Sequence, residues 1–129
     1  MKNKKFKILS VDDTSTNNLL IGALLTEENM TVDFAKNGYE AINKLQKKKY
    51  DAILMDIYMP ILNGYETTLY IRNKLKLKTP IIAISGIENK YEIGIKYVGF
   101  NELVSKPINS KMLIDKIKGL LIPKFEMAV

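Results

Sequence analysis

The chain has 129 residues, 47% of them hydrophobic, so it is long enough for one packed domain and too short for two. It has neither cysteine nor histidine, which excludes disulfides, thiol catalysis, zinc-thiolate sites, Ser-His triads and any histidine that itself carries a phosphoryl group. The formal charge of +6 is nearly all scattered lysine, with Arg72 the sole arginine, so solvated surface explains it better than a nucleic-acid face and no direct nucleic-acid binding is expected.

Phe6 to Val11 reads as a first strand, rich in apolar and branched residues, and it ends at once in Asp12-Asp13. Lys7 and Asp12 break that apolar run, so the basic stretch Met1 to Lys5 is no signal peptide; no span is long enough to cross a bilayer, and a cytoplasmic, membrane-free protein is expected. Thr14, Ser15 and Thr16 can each cap a helix, in which Leu19, Leu20, Ala23 and Leu24 follow at helical spacing. Thr31 to Ala35 is a short second strand. Asn37-Gly38 turns the chain into a second helix that points Ala41, Ile42 and Leu45 inward and ends in the solvated Lys47 to Lys49.

Ala52 to Met55 is apolar without alternation, as a strand buried on both faces requires, and it stops at the lone carboxylate Asp56. A charge where a buried strand runs out is expensive unless something nearby needs it. Pro60 and Asn63-Gly64 then mark a loop before a third helix, with Tyr65, Leu69 and Arg72 on one face. Ile81 to Ile84 forms a fourth strand carrying Ser85-Gly86 at its end. A fourth helix is expected over Glu88 to Val98, closed by Gly99. Leu103-Val104 belongs to a brief fifth strand, followed by Lys106-Pro107. Asn109 or Ser110 caps a last helix with Leu113, Ile114, Ile117 and Leu121 inward, and Pro123 is expected to end it.

Five strands alternating with five helices argue for an α/β fold, a five-stranded parallel sheet with helices on both faces and right-handed crossovers. Such sheets bind ligands outside the carboxyl ends of their strands, where the strand order reverses. Asp12, Asp13, Asp56, Ser85 and Lys106 all fall at such ends. Three gathered carboxylates repel one another unless a hard cation joins them, and Mg2+ suits because it takes oxygen ligands and keeps several waters. Metal and lysine together let Asp56 take a phosphoryl group, by neutralising charge on its oxygens. Each residue also has an ordinary structural use. Ser85 can cap a turn, Lys106 can be a surface charge, and Asp12 or Asp13 can cap the first helix.

In order and at matching spacing, Val11-Asp-Asp13, Met55-Asp-Ile-Tyr-Met-Pro60, Asn63-Gly64, Ile82-Ala-Ile-Ser85 and Ser105-Lys-Pro107 make the chain resemble the receiver domain of two-component response regulators. The resemblance spans residues 6 to 121, so a single domain is expected over 1–129 with a short tail at 122–129. It implies the flavodoxin-like strand order 2-1-3-4-5, with Asp56 accepting the phosphoryl group. Asp12, Asp13, Asp56 and the backbone carbonyl of Tyr58 would hold Mg2+, Asp12 through water. Lys106 and Ser85 would bind phosphoryl oxygens, and the bond from Lys106 to Pro107 would be cis. The protein would be a phosphoacceptor and not an enzyme. Its donor would be a phosphohistidine on a sensor histidine kinase or histidine phosphotransfer protein, docking on the first helix and the loop after Asp56 near Leu19 and Ile61.

Two features depart from the family pattern. Leu103 stands three residues before the lysine, where many receivers carry a switching aromatic. Tyr58 and Ile87 flank the path of water to the phosphoryl group, and their bulk is expected to slow hydrolysis. Two alternatives remain beside this reading. An aspartyl-phosphate-forming phosphatase typically needs a second aspartate where Tyr58 stands, and a degenerate receiver serving only as an interaction module would lack the acidic and lysine residues present here. With only Lys124 to Val129 beyond the expected last helix, no attached effector is expected, and Met1 leans toward a free-standing regulator.

Overall fold

The computed structural model describes residues 5–86 and 98–127. Among these, five strands, β1 (Lys7–Val11), β2 (Thr31–Ala35), β3 (Ala52–Asp56), β4 (Ile81–Ser85) and β5 (Glu102–Ser105), form one sheet in the order β2-β1-β3-β4-β5. Every pairing is parallel. Four helices accompany them: α1 (Ser15–Glu27), α2 (Gly38–Lys47), α3 (Gly64–Asn73) and α4 (Ser110–Met127). The helix expected over Glu88 to Val98 falls on residues 88–97, outside the described residues, as does Ile87.

Alternation along the strands divides the core into two layers. Leu9, Val11, Ile53, Met55, Ile81 and Ala83 point to one face, where Ala41, Leu45 and Ile71 of α2 and α3 cover them. Ile8, Ala52, Leu54, Ile82, Ile84 and Val104 point to the other, against Ile21 and Leu25 of α1 and Leu113, Ile114, Ile117 and Leu121 of α4. β3 and β4 are buried throughout, which is why their sequences show no polar alternation.

Local capping chemistry sets the helix starts. Asn63 Oδ1 accepts from the Glu66 amide at 2.9 Å while Glu66 Oε1 accepts from the Asn63 amide at 3.0 Å, a reciprocal box that begins α3. Asn37 caps α2 and Asn109 caps α4 through the same side-chain-to-amide bond.

Two expectations are corrected. The inward stripe of α1 is Asn18, Ile21 and Leu25, while Leu19 and Leu20 are 71% and 65% exposed. The helix is apolar nearly all round, so apolar spacing alone could not fix its rotation. Second, α4 runs through Pro123 to Met127 instead of ending there. Proline removes one amide donor and crowds the preceding turn, which bends a helix without always stopping it.

Candidate functional site

The strand order reverses between β1 and β3, and their register pairs Val11 with Met55. The next residue on each strand is an aspartate, so Asp12 and Asp56 emerge side by side at the carboxyl edge, with Asp13 following. Carboxylate oxygens of all three lie within 4.8 Å of one another. Asp12 and Asp56 are buried, at 2% and 3% exposure, and Asp13 is exposed.

Asp12 is held by its own neighbourhood. Its Oδ1 accepts from the Thr14 amide at 2.8 Å and its Oδ2 from Asn17 Nδ2 at 3.2 Å. Thr14 stands at the N-cap of α1 without a side-chain cap bond, so the aspartate serves the helix entry in its place. Asn18 Nδ2 donates to the Asp12 carbonyl at 2.9 Å, and Ser10 Oγ donates to Asn18 Oδ1 at 2.9 Å. Asn17 and Asn18 escaped the sequence reading. The available signal was that Asn18 lies three and seven residues before Ile21 and Leu25, a polar residue on the buried stripe.

Lys106 enters from the far edge. β5 pairs only with β4, Ser85 lies opposite Ser105, and the Lys106 amide donates to the Ser85 carbonyl at 2.8 Å. The bond from Lys106 to Pro107 is cis, as expected. From there the Lys106 ammonium donates to Asp56 Oδ1 at 3.4 Å. Burial, then the nearby Asp12 charge, push the Asp56 carboxyl up to about 6, Lys106 pulls it down, and Asp13 adds to the rise.

The remaining expected residues among the described ones lie on several elements. Ser85 is buried at the end of β4, beside Gly86. Tyr58, two residues past Asp56, is 46% exposed. Leu103 is half-buried against the layer beneath α2 and α3. Pro107, Lys106 and Ile108 form one wall of a cleft of about 500 Å3 whose other wall is Asn17, Leu20 and Leu24 of α1. Leu19 on α1 and Ile61 in the loop after Asp56 are both exposed rather than core.

Chemically, the donor set fits a hard divalent cation. Every candidate ligand is an oxygen, and exposed Asp13 leaves room for waters, the mode in which Mg2+ binds beside a few carboxylates. The buried Asp12 already has both oxygens engaged by N–H donors, which suits a supporting, water-bridged role better than a direct one.

Comparison with known proteins agrees with this geometry. The sequence profile described as "Response regulator receiver domain" matches residues 8–118. The autoinducer 2 sensor kinase/phosphatase LuxQ of Vibrio parahaemolyticus is 40% identical over 112 residues, covering 85% of this chain and 13% of LuxQ. This chain therefore spans only a small part of that relative's length. Among solved structures, chemotaxis protein CheY4 of Vibrio cholerae superposes with a TM-score of 0.86 at 28% identity, covering 92% of this chain and 100% of that one. The receiver domain of sensor histidine kinase PA1611 from Pseudomonas aeruginosa, solved with a magnesium ion coordinated in its active-site cleft, gives 0.82 at 28% identity, covering 92% and 98%.

Proposed function

Because the chain belongs to the response regulator receiver family, we propose that it is a phosphoacceptor module in which Asp56 takes a phosphoryl group from a phosphohistidine donor. The observation that carries the reading is the Lys106 ammonium 3.4 Å from the buried Asp56, beside the carboxylates of Asp12 and Asp13. An Asp56 oxygen attacks phosphorus, an O–P bond forms as the P–N bond of the donor breaks, and the electron pair leaves on the imidazole. At neutral pH the Asp56 carboxyl, with its value near 6, is ionised and able to attack. Lys106 would pair with a phosphoryl oxygen, and the Ser85 hydroxyl would donate to another.

Asp13, Asp56 and the Tyr58 carbonyl would hold Mg2+, with Asp12 assisting. When bound, the ion supplies charge neutralisation at the phosphoryl oxygens. With no histidine among these 129 residues, the donor imidazole lies outside them, on a sensor histidine kinase or a histidine phosphotransfer protein. The cleft between α1 and the segment after Lys106 suits its docking, as do exposed Leu19 on α1 and exposed Ile61 in the loop after Asp56. The protein acts as an acceptor that assists its own loading and unloading, not as an enzyme turning over a separate substrate. The phosphatase alternative finds no second aspartate at Tyr58.

The test is incubation with acetyl phosphate and Mg2+ followed by intact-mass measurement. One added phosphoryl group is expected on the wild type and none on Asp56→Asn. Equal labelling of the two would place the acceptor elsewhere.

A further inference from the structure

We infer that Arg72 is a remote positioning residue, which through Gly99 and Asn101 clasps the start of β5 to the start of β4 and so fixes where the Lys106 amine stands relative to Asp56. The inference rests on the phosphoacceptor reading of Asp56.

Arg72 is the only arginine in a chain whose other nineteen basic residues are lysines, given twenty Lys and Arg in all. Its position explains the exception. Nε and Nη2 donate to the Gly99 carbonyl at 3.1 and 2.8 Å, Nη2 donates to Asn101 Oδ1 at 3.0 Å, and Nη1 donates to the Leu77 carbonyl at 2.9 Å. A planar fork of fixed donors can satisfy three such oxygens at once, which an ammonium on a flexible stem cannot. Gly99, at φ +117°, admits the arginine stem, since a Cβ there would lie 2.8 Å from Arg72 Cγ. Burial lowers the guanidinium's affinity for its proton, yet these neutral oxygens solvate it in place of water.

Asn101 passes the clasp on to the sheet. Its Oδ1 also accepts from the Ile81 amide at 2.8 Å, and its own amide donates to the Ile81 carbonyl at 2.8 Å. Both backbone groups of the first residue of β4 are thereby tied to the residue just before β5. Because β5 has four residues and lies at the edge with β4 as its one strand neighbour among the described residues, its position along the strand axis rests on that single ladder, the bond from the Lys106 amide to the Ser85 carbonyl and this clasp. Its far end carries Lys106. A slip of one residue would move Lys106 by about 3.3 Å and turn its side chain to the opposite face of the sheet. The lysine ammonium's own bond is a long one, 3.4 Å to Asp56 Oδ1, from a side chain that is 31% exposed.

The experiment measures the rate of acetyl-phosphate-driven labelling at saturating Mg2+ for wild type, Arg72→Gln, Arg72→Lys, Asn101→Ala, Lys106→Met and the Arg72→Gln/Lys106→Met double variant, each confirmed folded by circular dichroism. The expected result is that Arg72→Gln slows labelling about tenfold, as a misplaced group far from the chemistry can, and that Arg72→Lys fails to restore it. In the Lys106→Met background the same change has no further effect, because the amine it positions is gone. Should Arg72→Gln not fold, Arg72→Lys and Asn101→Ala run through the same cycle. A wild-type rate in the clasp variants, or an equal slowing with and without Lys106, overturns the inference. A wild type that takes no label overturns the phosphoacceptor reading itself, and this inference with it.

Discussion

Asp56 and Lys106 form an unequal pair: their charged atoms are 3.4 Å apart, but the aspartate side chain is 4% exposed and the lysine 31%. Burial and the Asp12 charge win over the ammonium, so the carboxyl rises from 3.8 to about 6 instead of falling. Between those two values the folded chain holds a proton that the unfolded chain has released. Stability in this term is therefore fullest below the lower value, falls by about 3 kcal/mol as pH rises through the window, and is flat above it. Asp56→Asn removes the charge, so in the absence of Mg2+ it is expected to raise stability at pH 8 by about 2 kcal/mol and change it little at pH 4. Urea unfolding at the two pH values measures this. Added Mg2+ is expected to narrow the gap at pH 8 by stabilising the wild type more than the variant, and equal stability of both proteins at pH 8 without metal would contradict the account.

Asn18 supports Asp12 from the buried side of α1, bonded both to the Asp12 carbonyl and to Ser10. Asn18→Leu keeps the bulk but leaves the Ser10 hydroxyl and that carbonyl without these partners. A cost of about 2 kcal/mol in stability is expected. If Asp12 supports Mg2+ as proposed, loosening it is also expected to weaken Mg2+ binding by about tenfold. Calorimetric titration with Mg2+ checks the second effect independently of the first, and an unchanged affinity would confine Asn18 to a packing role.

Gly64 starts α3 directly against the end of β3. A Cβ there would lie 2.5 Å from the Asp56 carbonyl oxygen and 2.7 Å from Ile57 Cα. Both are backbone atoms and cannot swing aside. Gly64→Ala is expected to destabilise the fold by about 3 kcal/mol and to slow labelling of Asp56 by moving its strand. Urea unfolding and the acetyl phosphate time course read the two effects, and a variant with wild-type values in both would show that the loop yields freely.

The parts of this site that the sequence made legible are those where strand ends and special residues coincide. Asp12, Asp56, Ser85 and Lys106 each terminate or follow an apolar run, and a parallel sheet brings such ends to one edge whatever the loops do. Asn37-Gly38 and Asn63-Gly64 were legible as the breaks before α2 and α3, and Asn109 as a cap candidate, because turn chemistry is local. Less legible was anything depending on rotation or distance. Leu19 and Leu20 are indistinguishable from Ile21 and Leu25 by hydrophobicity, and only packing against β1 and α4 decides which pair is inside. The bonds from Arg72 to Gly99 and Asn101 join residues 27 and 29 positions apart, and no local pattern announces them.

Two adjacent threonines on α3 give predictions of opposite sign. Thr67 and Thr68 are both fully buried. Thr67 Oγ1 donates to the Asn63 carbonyl at 2.8 Å, which also accepts from the Thr67 amide at 3.0 Å, so this buried hydroxyl has its partner. Thr68 Oγ1 finds no hydrogen-bond partner among the described residues. Valine matches threonine in shape and in helix propensity, so the substitution isolates the hydroxyl. Thr67→Val is expected to cost about 1 kcal/mol, the net value of a made bond. Thr68→Val is expected to gain about 1 kcal/mol, because it removes a buried polar group that had lost water without replacement. Urea midpoints of the two variants should therefore move in opposite directions from the wild type, and a loss of stability in Thr68→Val would reveal a partner for that hydroxyl.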